Sequence, residues 1–289
     1  MIISVHIGSH HTHNDTVIRS LAKNSVILKE HGIIVPPRNR YKLVLPELLK
    51  RMQDSRATPE TEEMFIEELA DFEDCDRLVL SFDNLLCYRA AIFQRNQLYS
   101  KASSRLKALR NVFPDSTLEF VLGVRNPATL IPTACAKPDE YGKFIGKTNL
   151  DEVRWSDVIN SIRATLPEVP VTVFAYEDTP IIWEQVLREF SGLDASIPMD
   201  GGLDVLLPII TRDGMRQLRT YLHTHQPKNQ AQYHEIVATY LERFVNIEAI
   251  EQEINLPGWT DDLVQRLTER YEDDLFDIER IPGVKFIQP

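Results

Sequence analysis

Short apolar runs alternate along this chain with longer stretches in which apolar residues recur every three or four positions. Five runs read as buried strands: Ile2–Ile7, Ile33–Val35, Arg77–Ser81, Leu118–Val124 and Val171–Ala175. Each is rich in Val, Ile, Leu or Phe, the residues that suit a sheet covered on both faces. Between them the spacing becomes helical. Thr16–His31 places Val17, Leu21, Ile27 and Leu28 near one stripe and stops at Gly32, a usual residue just past a helix end. Thr58-Pro59-Glu60 reads as an N-cap with proline in the first turn, opening a helix to about Phe72. Asn84–Arg110, Trp155–Leu166 and Thr179–Phe190 supply the remaining crossovers. After Asp200 the strand pattern stops, and Asp213–His223, Gln230–Val245 and Thr260–Phe276 read as helices. The alternation predicts an α/β protein: a three-layer sandwich with a mostly parallel five-stranded sheet over residues 1–200, and a mainly helical C-terminal extension over 201–289. With no internal repeat, low-complexity tract or long linker, residues 1–289 read as a single domain.

Composition agrees with this picture and narrows it. Hydrophobic residues make up 43% and charged residues 26% of the chain, enough to bury a sizeable core. Cys75, Cys87 and Cys135 are odd in number and lack C-x-x-C spacing, as expected of reduced thiols in a cytoplasmic protein. Met1-Ile-Ile-Ser-Val carries neither the basic leader nor the long apolar run of a signal peptide. No stretch reaches the roughly 18 apolar residues of a membrane span. The net charge of −11 excludes a uniformly basic surface, so no nucleic-acid partner is expected. The acidity is uneven: residues 1–150 carry +2 and residues 151–289 carry −13. Glu62, Glu63, Glu67, Glu68, Asp71, Glu73, Asp74 and Asp76 form an acidic block that reads as a solvated face. Asn84–Pro114 carries Arg89, Arg95, Lys101, Arg105, Lys107 and Arg110 with no acid, which suits either a solvated face or attraction of an anionic ligand.

Ligands of open α/β sheets bind beyond the carboxyl ends of the strands. The loop after the first strand reads His6-Ile7-Gly8-Ser9-His10-His11-Thr12-His13-Asn14-Asp15 and leads into a helix. Strand, polar loop and helix start form the setting of a phosphate cradle, in which backbone N–H groups meet an anion. Only Gly8 offers backbone freedom, no Lys or Arg is present, and Asp15 would repel a phosphate. The same histidines raise a second possibility, a zinc-dependent hydrolase. His11-Thr-His13-Asn-Asp15 contains an H-x-H-x-D pattern, but Thr16 stands where a further histidine is usual and only His223 and His225 form another close pair. No metal is expected.

A sharper pattern follows the fourth strand: Leu118-Glu-Phe-Val-Leu-Gly-Val-Arg125-Asn126-Pro127, with Thr133 eight positions after the arginine. It resembles the 3′-phosphate-binding motif of sulfotransferases that use 3′-phosphoadenosine 5′-phosphosulfate (PAPS), in which an Arg and a helix hydroxyl hold the phosphate. A guanidinium fork suits that role; a structural ion pair at the strand end is the alternative use of Arg125. The first loop is similar to the bacterial members' Lys-Thr-Gly-Thr-Thr, with His11 for Lys, Thr12 kept, His13 for Gly, and Asn14 and Asp15 for two Thr. Leu80-Ser81-Phe82-Asp83 stands where the family often has Ser-Ser-Glu. Trp155-Ser-Asp-Val-Ile, Tyr176-Glu-Asp, Leu256-Pro-Gly-Trp259 and Tyr271-Glu-Asp-Asp extend the likeness over most of the chain.

The resemblance implies a P-loop NTPase-like sulfotransferase fold and PAPS as co-substrate. It implies transfer of a sulfuryl group to a hydroxyl of a carbohydrate or small-molecule acceptor. His11 and Asp83 would be catalytic; Gly8, His10, Thr12, His13, Asn14, Arg125 and Thr133 would hold the nucleotide. His11 could replace the lysine charge only while protonated, and a His13 side chain would crowd the cradle. A catalytically degenerate binding protein on the same fold is therefore the alternative.

Overall fold

The structure, a computed structural model, describes residues 1–70, 75–250 and 254–289. The expected helix end at Phe72 and part of the acidic block, Asp71, Glu73 and Asp74, lie outside the described residues. The strands are β1 (Ile2–Gly8), β2 (Ile33–Ile34), β3 (Arg77–Ser81), β4 (Phe93–Gln94), β5 (Gln97–Leu98), β6 (Thr117–Val124), β7 (Val171–Ala175) and β8 (Val284–Ile287). Six of them form one sheet in the order β2-β3-β1-β6-β7-β8, every neighbouring pair parallel. The five expected strands are present within a residue or two at their ends. The sixth, β8, was not expected: it pairs Val171 with Val284 and Phe174 with Ile287 along one edge, after the long final helix.

The helices are α1 (Asn14–Ala22), α2 (Ser25–Glu30), α3 (Val44–Arg51), α4 (Pro59–Ala70), α5 (Ala102–Val112), α6 (Pro127–Ala134), α7 (Tyr141–Ile145), α8 (Trp155–Thr165), α9 (Thr179–Ser191), α10 (Arg212–Thr224), α11 (Gln230–Phe244), α12 (Ile247–Ile250) and α13 (Asp261–Glu279). Alternation along the strands divides the core into two layers. Ile3, Val5, Ile7, Leu80 and Leu122 face one cluster, with Leu106, Leu109, Leu130, Ile159 and Tyr271 from α5, α6, α8 and α13. Val79, Val121 and Phe174 face another, with Leu21, Trp183, Val186 and Phe190 from α1 and α9. This is the three-layer arrangement that strands buried on both faces require. The C-terminal helices α10 and α11 add a small cluster of their own around Leu218, Tyr233 and Val237. No helix among the described residues is long and apolar enough to cross a membrane.

Two expected helices differ from the sequence reading. The first breaks into α1 and α2 because the buried Asn24 turns its side chain onto backbone: Nδ2 donates to the carbonyls of Ser20 and Asp200, and Oδ1 accepts the Asp200 N–H. Asn24 thereby ties this segment to the start of the C-terminal extension. Asn84–Arg110 is α-helical only from Ala102. Ahead of it, β4 and β5 form a hairpin whose Arg95 and Asn96 have φ of 56° and 59°, the doubly left-handed turn that matches strand twist. The alternation Ile92, Phe93, Leu98, Tyr99 is buried there on a ribbon, not on a helix stripe.

Candidate anion-binding site

Because β1 lies between β3 and β6, the loops after β1, β3, β6 and β7 open on one edge of the sheet. This edge gathers the loop 8–13, Asp83, Arg125 and Tyr176. Close packing sets the path of the first loop. The Ser9 N–H donates to the Gly123 carbonyl at 2.9 Å, and a Cβ on Gly123 would meet Thr12 Cβ and Phe174 Cζ at 2.8 Å. Only glycine at position 123 lets the loop lie against β6; this requirement was missed in the sequence. Thr12 turns inward, donating its hydroxyl to the Ser9 carbonyl at 2.7 Å.

The loop keeps the backbone that glycines would give it. Gly8 has φ 110°, and His11 and His13 take left-handed φ of 59° and 65°, at a cost of ~1–2 kcal/mol each relative to right-handed backbone. The crowding expected of His13 is avoided because its ring leaves the loop: it stacks on Tyr176 at 4.7 Å between centroids and meets Trp183 edge-on at 5.3 Å. The Thr179 hydroxyl donates to the Tyr176 carbonyl at 2.6 Å, so the His13 Nε2–H donates to Thr179 Oγ1 at 3.1 Å. Among the described residues the backbone N–H groups of His11, Thr12 and His13, at the start of α1, meet no acceptor. The side chain of Asn14 lies outside the described residues.

The histidines are held neutral. Burial, then the Arg125 charge and His10, pull the His11 imidazole down to about 4; burial and Arg125 pull His13 to about 4. His6, wholly buried beside Ser81 and Phe174, falls to about 3 through burial. His10 is also lowered by burial. His10 is locked between Tyr99 and Asn84: its N–H donates to the Tyr99 hydroxyl at 3.1 Å, Nδ1 meets the same oxygen at 2.9 Å, and Nε2 meets Asn84 Oδ1 at 3.2 Å. His11 stands beside His10, with a buried Nε2 that has no partner among the described residues, while His13 is engaged elsewhere. Among the described residues no group of three or more His, Cys, Asp or Glu is placed to hold a metal ion.

The cation absent from the loop comes from another segment. Arg38, in the single helical turn after β2, pairs with Asp15 and reaches Asp83 Oδ1 at 2.7 Å. It offsets both carboxylates, including the Asp15 charge that the sequence set against a phosphate. No motif marks Arg38, and it was missed in the sequence.

Arg125 is the other cation. Its residue surface is 5% exposed. Nε donates to Thr129 Oγ1 at 3.0 Å, one terminal nitrogen to the His11 carbonyl at 2.9 Å and the other to Thr133 Oγ1 at 3.2 Å; the guanidinium lies 4.3 Å from the Tyr176 ring centroid. Both threonine hydroxyls spend their hydrogens on α6 carbonyls or its cap, Thr129 on Asn126 and Thr133 on Thr129. They face Arg125 as acceptors and hold the fork in place. Burial lowers the Arg125 pKa, with Tyr176 and Glu177 opposing. Among the described residues no carboxylate pairs with it: Glu177 accepts from the Asn126 N–H at 3.0 Å and the Tyr271 hydroxyl at 2.9 Å. The structural ion pair considered for Arg125 is therefore not made.

An aromatic pair joins the two halves of the site. Trp155 donates its indole N–H to the Arg125 carbonyl at 2.9 Å and stacks on Tyr99, centroids 5.4 Å apart, whose hydroxyl holds His10. Tyr99 has φ 49°, a costly conformation for a bulky residue. In sequence these aromatics are indistinguishable from core. The chain matches no protein-family model, no curated protein and no solved structure at a significant level.

Proposed function

We propose that this chain is a sulfotransferase-like protein that binds an organic phosphate or sulfate at the carboxyl edge of its sheet, with Arg125 as anchor. The observation that carries the reading is a buried guanidinium whose hydrogen-bond partners among the described residues are all neutral, beside backbone N–H groups at the start of α1 that meet no acceptor among those residues. A buried charge normally has an opposite charge next to it, and an anionic ligand would supply one. Nucleotides of the 3′-phosphoadenosine class are the first ligands to test, because the Arg125–Thr133 spacing resembles the motif that holds their 3′-phosphate.

Binding without transfer is the favoured form of this reading. Neutral His11 cannot stabilise a departing phosphate oxygen as a lysine does. Group transfer from PAPS to a small-molecule or carbohydrate hydroxyl is the second reading, and Arg38 favours it: beside Asp83, it brings a fixed positive charge and a carboxylate base to one mouth. A titration with 3′,5′-phosphoadenosine, followed by melting temperature, tests the binding; a flat curve at millimolar ligand excludes the nucleotide. Turnover of PAPS with a panel of hydroxyl acceptors, lost in Asp83→Asn, separates transfer from binding.

A further inference from the structure

Beyond Arg125 a cleft of about 410 Å³ opens between the end of β7 and the C-terminal extension. Its far wall is aliphatic: Val205, Pro208, Ile209, Ala249, Ile250 and Ile254. Its near wall carries polar residues whose hydrogens are largely committed. Thr129 and Thr179 donate to backbone carbonyls, the His13 Nε2–H is taken by Thr179, and both Glu177 oxygens already accept. Among the described residues the side-chain donors left are N–H groups of Arg125, which uses three of its five, and the Tyr176 hydroxyl. Among the described residues Arg125 is a cation with no carboxylate hydrogen-bonded to it, at the end of a cleft with an aliphatic far wall; this suits a single anionic head on an apolar body.

We propose that the cleft selects a phosphate or sulfate monoester of an apolar alcohol, with the oxyanion on Arg125 and the hydrocarbon against Ile209, Ile250 and Ile254. The inference rests on Arg125 being the anion anchor, and goes further by naming what the anion is attached to. A sugar ring in this position would lose water from its hydroxyls and find few partners. An alkyl or aryl group loses nothing that the wall does not restore.

The test is a calorimetric titration of the full chain with methyl, butyl and hexyl phosphate and with hexyl sulfate. The expected result is affinity rising about threefold to fourfold per added methylene until the cleft is full. Hexyl sulfate should follow hexyl phosphate if the tetrahedral oxyanion is what matters. Ile250 is 50% exposed, so Ile250→Ser should fold normally. It should weaken hexyl phosphate several-fold and leave methyl phosphate unchanged. Arg125→Met should abolish binding of all four. Equal affinity along the series with binding retained would overturn the apolar-body inference and leave the anion site standing. Loss of all binding, methyl phosphate and 3′,5′-phosphoadenosine included, would overturn the anion site itself.

Discussion

Replacing Arg125 by methionine separates a structural arginine from a ligand-binding one. The side chain loses three hydrogen bonds to neutral acceptors, about 1 kcal/mol each where the acceptors stay partly satisfied. Both threonines keep their own donations to backbone, and Thr129 lines the cleft, where water can replace the guanidinium. The contact with Tyr176 adds about 1 kcal/mol to the loss, partly returned by the methionine sulfur on the same ring. Against this stands relief from burying an unpaired charge, several kcal/mol per ion even after relaxation. The opposing contributions nearly cancel. The expected change in ligand-free stability is within ~1 kcal/mol of zero, read as an unchanged urea midpoint at unchanged m-value. The same substitution should remove the stabilisation given by organic phosphate. Breaking a buried ion pair costs about 3–5 kcal/mol; a loss of that size in Arg125→Met, with no ligand present, would refute the argument that this arginine lacks a structural partner.

Three further outcomes follow from the same geometry. Tyr99→Phe leaves the buried His10 N–H without its acceptor and should cost about 1–3 kcal/mol in urea unfolding. It should also weaken organic phosphate binding; retained affinity would show that the loop holds its shape without this contact. Arg38→Ser frees Asp15 and Asp83 at the mouth and should lower anion affinity several-fold at 20 mM salt and less at 200 mM salt, about the range over which screening sets in; equal affinity at both salts would remove Arg38 from the site. Stability should fall as pH drops below about 6.5, because His6, His11 and His13 titrate lower in the folded state and the unfolded chain then binds more protons. The loss should continue to about pH 4 for His11 and His13 and to about pH 3 for His6, offset in part by Asp178, which burial raises to about 6. A urea midpoint constant between pH 7 and pH 4.5 would contradict neutral burial of these rings.

The strands were legible because burial on both faces leaves unbroken apolar runs, as in Val171–Ala175. Asn84–Arg110 was misread for a physical reason: the apolar residues that decide the matter, Ile92 to Tyr99, belong to a hairpin. The edge strand β8 is only four residues long and carries a lysine paired with Glu189, so it offers little pattern. Within the candidate site, Arg125, Thr133, Asp83 and the first loop were singled out by the family resemblance, and the fold brings them to one edge of the sheet. Arg38, Tyr99, Trp155 and Gly123 act through contacts between segments distant in sequence, which periodicity cannot reveal. Thr133 lies beside Arg125, but its hydroxyl donates to the Thr129 carbonyl and accepts from the guanidinium, a distinction that depends on where one hydrogen goes.

The histidines give the loop a glycine-like backbone and leave it without a cation of its own. His11 and His13 hold the left-handed backbone of glycines, and His13 turns its ring onto Tyr176; among the described residues the N–H groups at the start of α1 stay open. Any attraction for an anion then comes from Arg125, Arg38 and those N–H groups, none of which titrates near neutrality. Affinity for methyl sulfate, a probe with no ionisation in this range, should therefore be constant between pH 6 and pH 8. A loop that recruited its anion through protonated histidine would instead lose affinity as pH rose through about 6.5, tenfold per unit above the pKa. A constant affinity assigns the site to its arginines and leaves His11 and His13 the work of shaping the backbone. A declining one would mean that ligand binding pulls a histidine pKa up from about 4 by more than two units, overcoming both burial and the Arg125 charge.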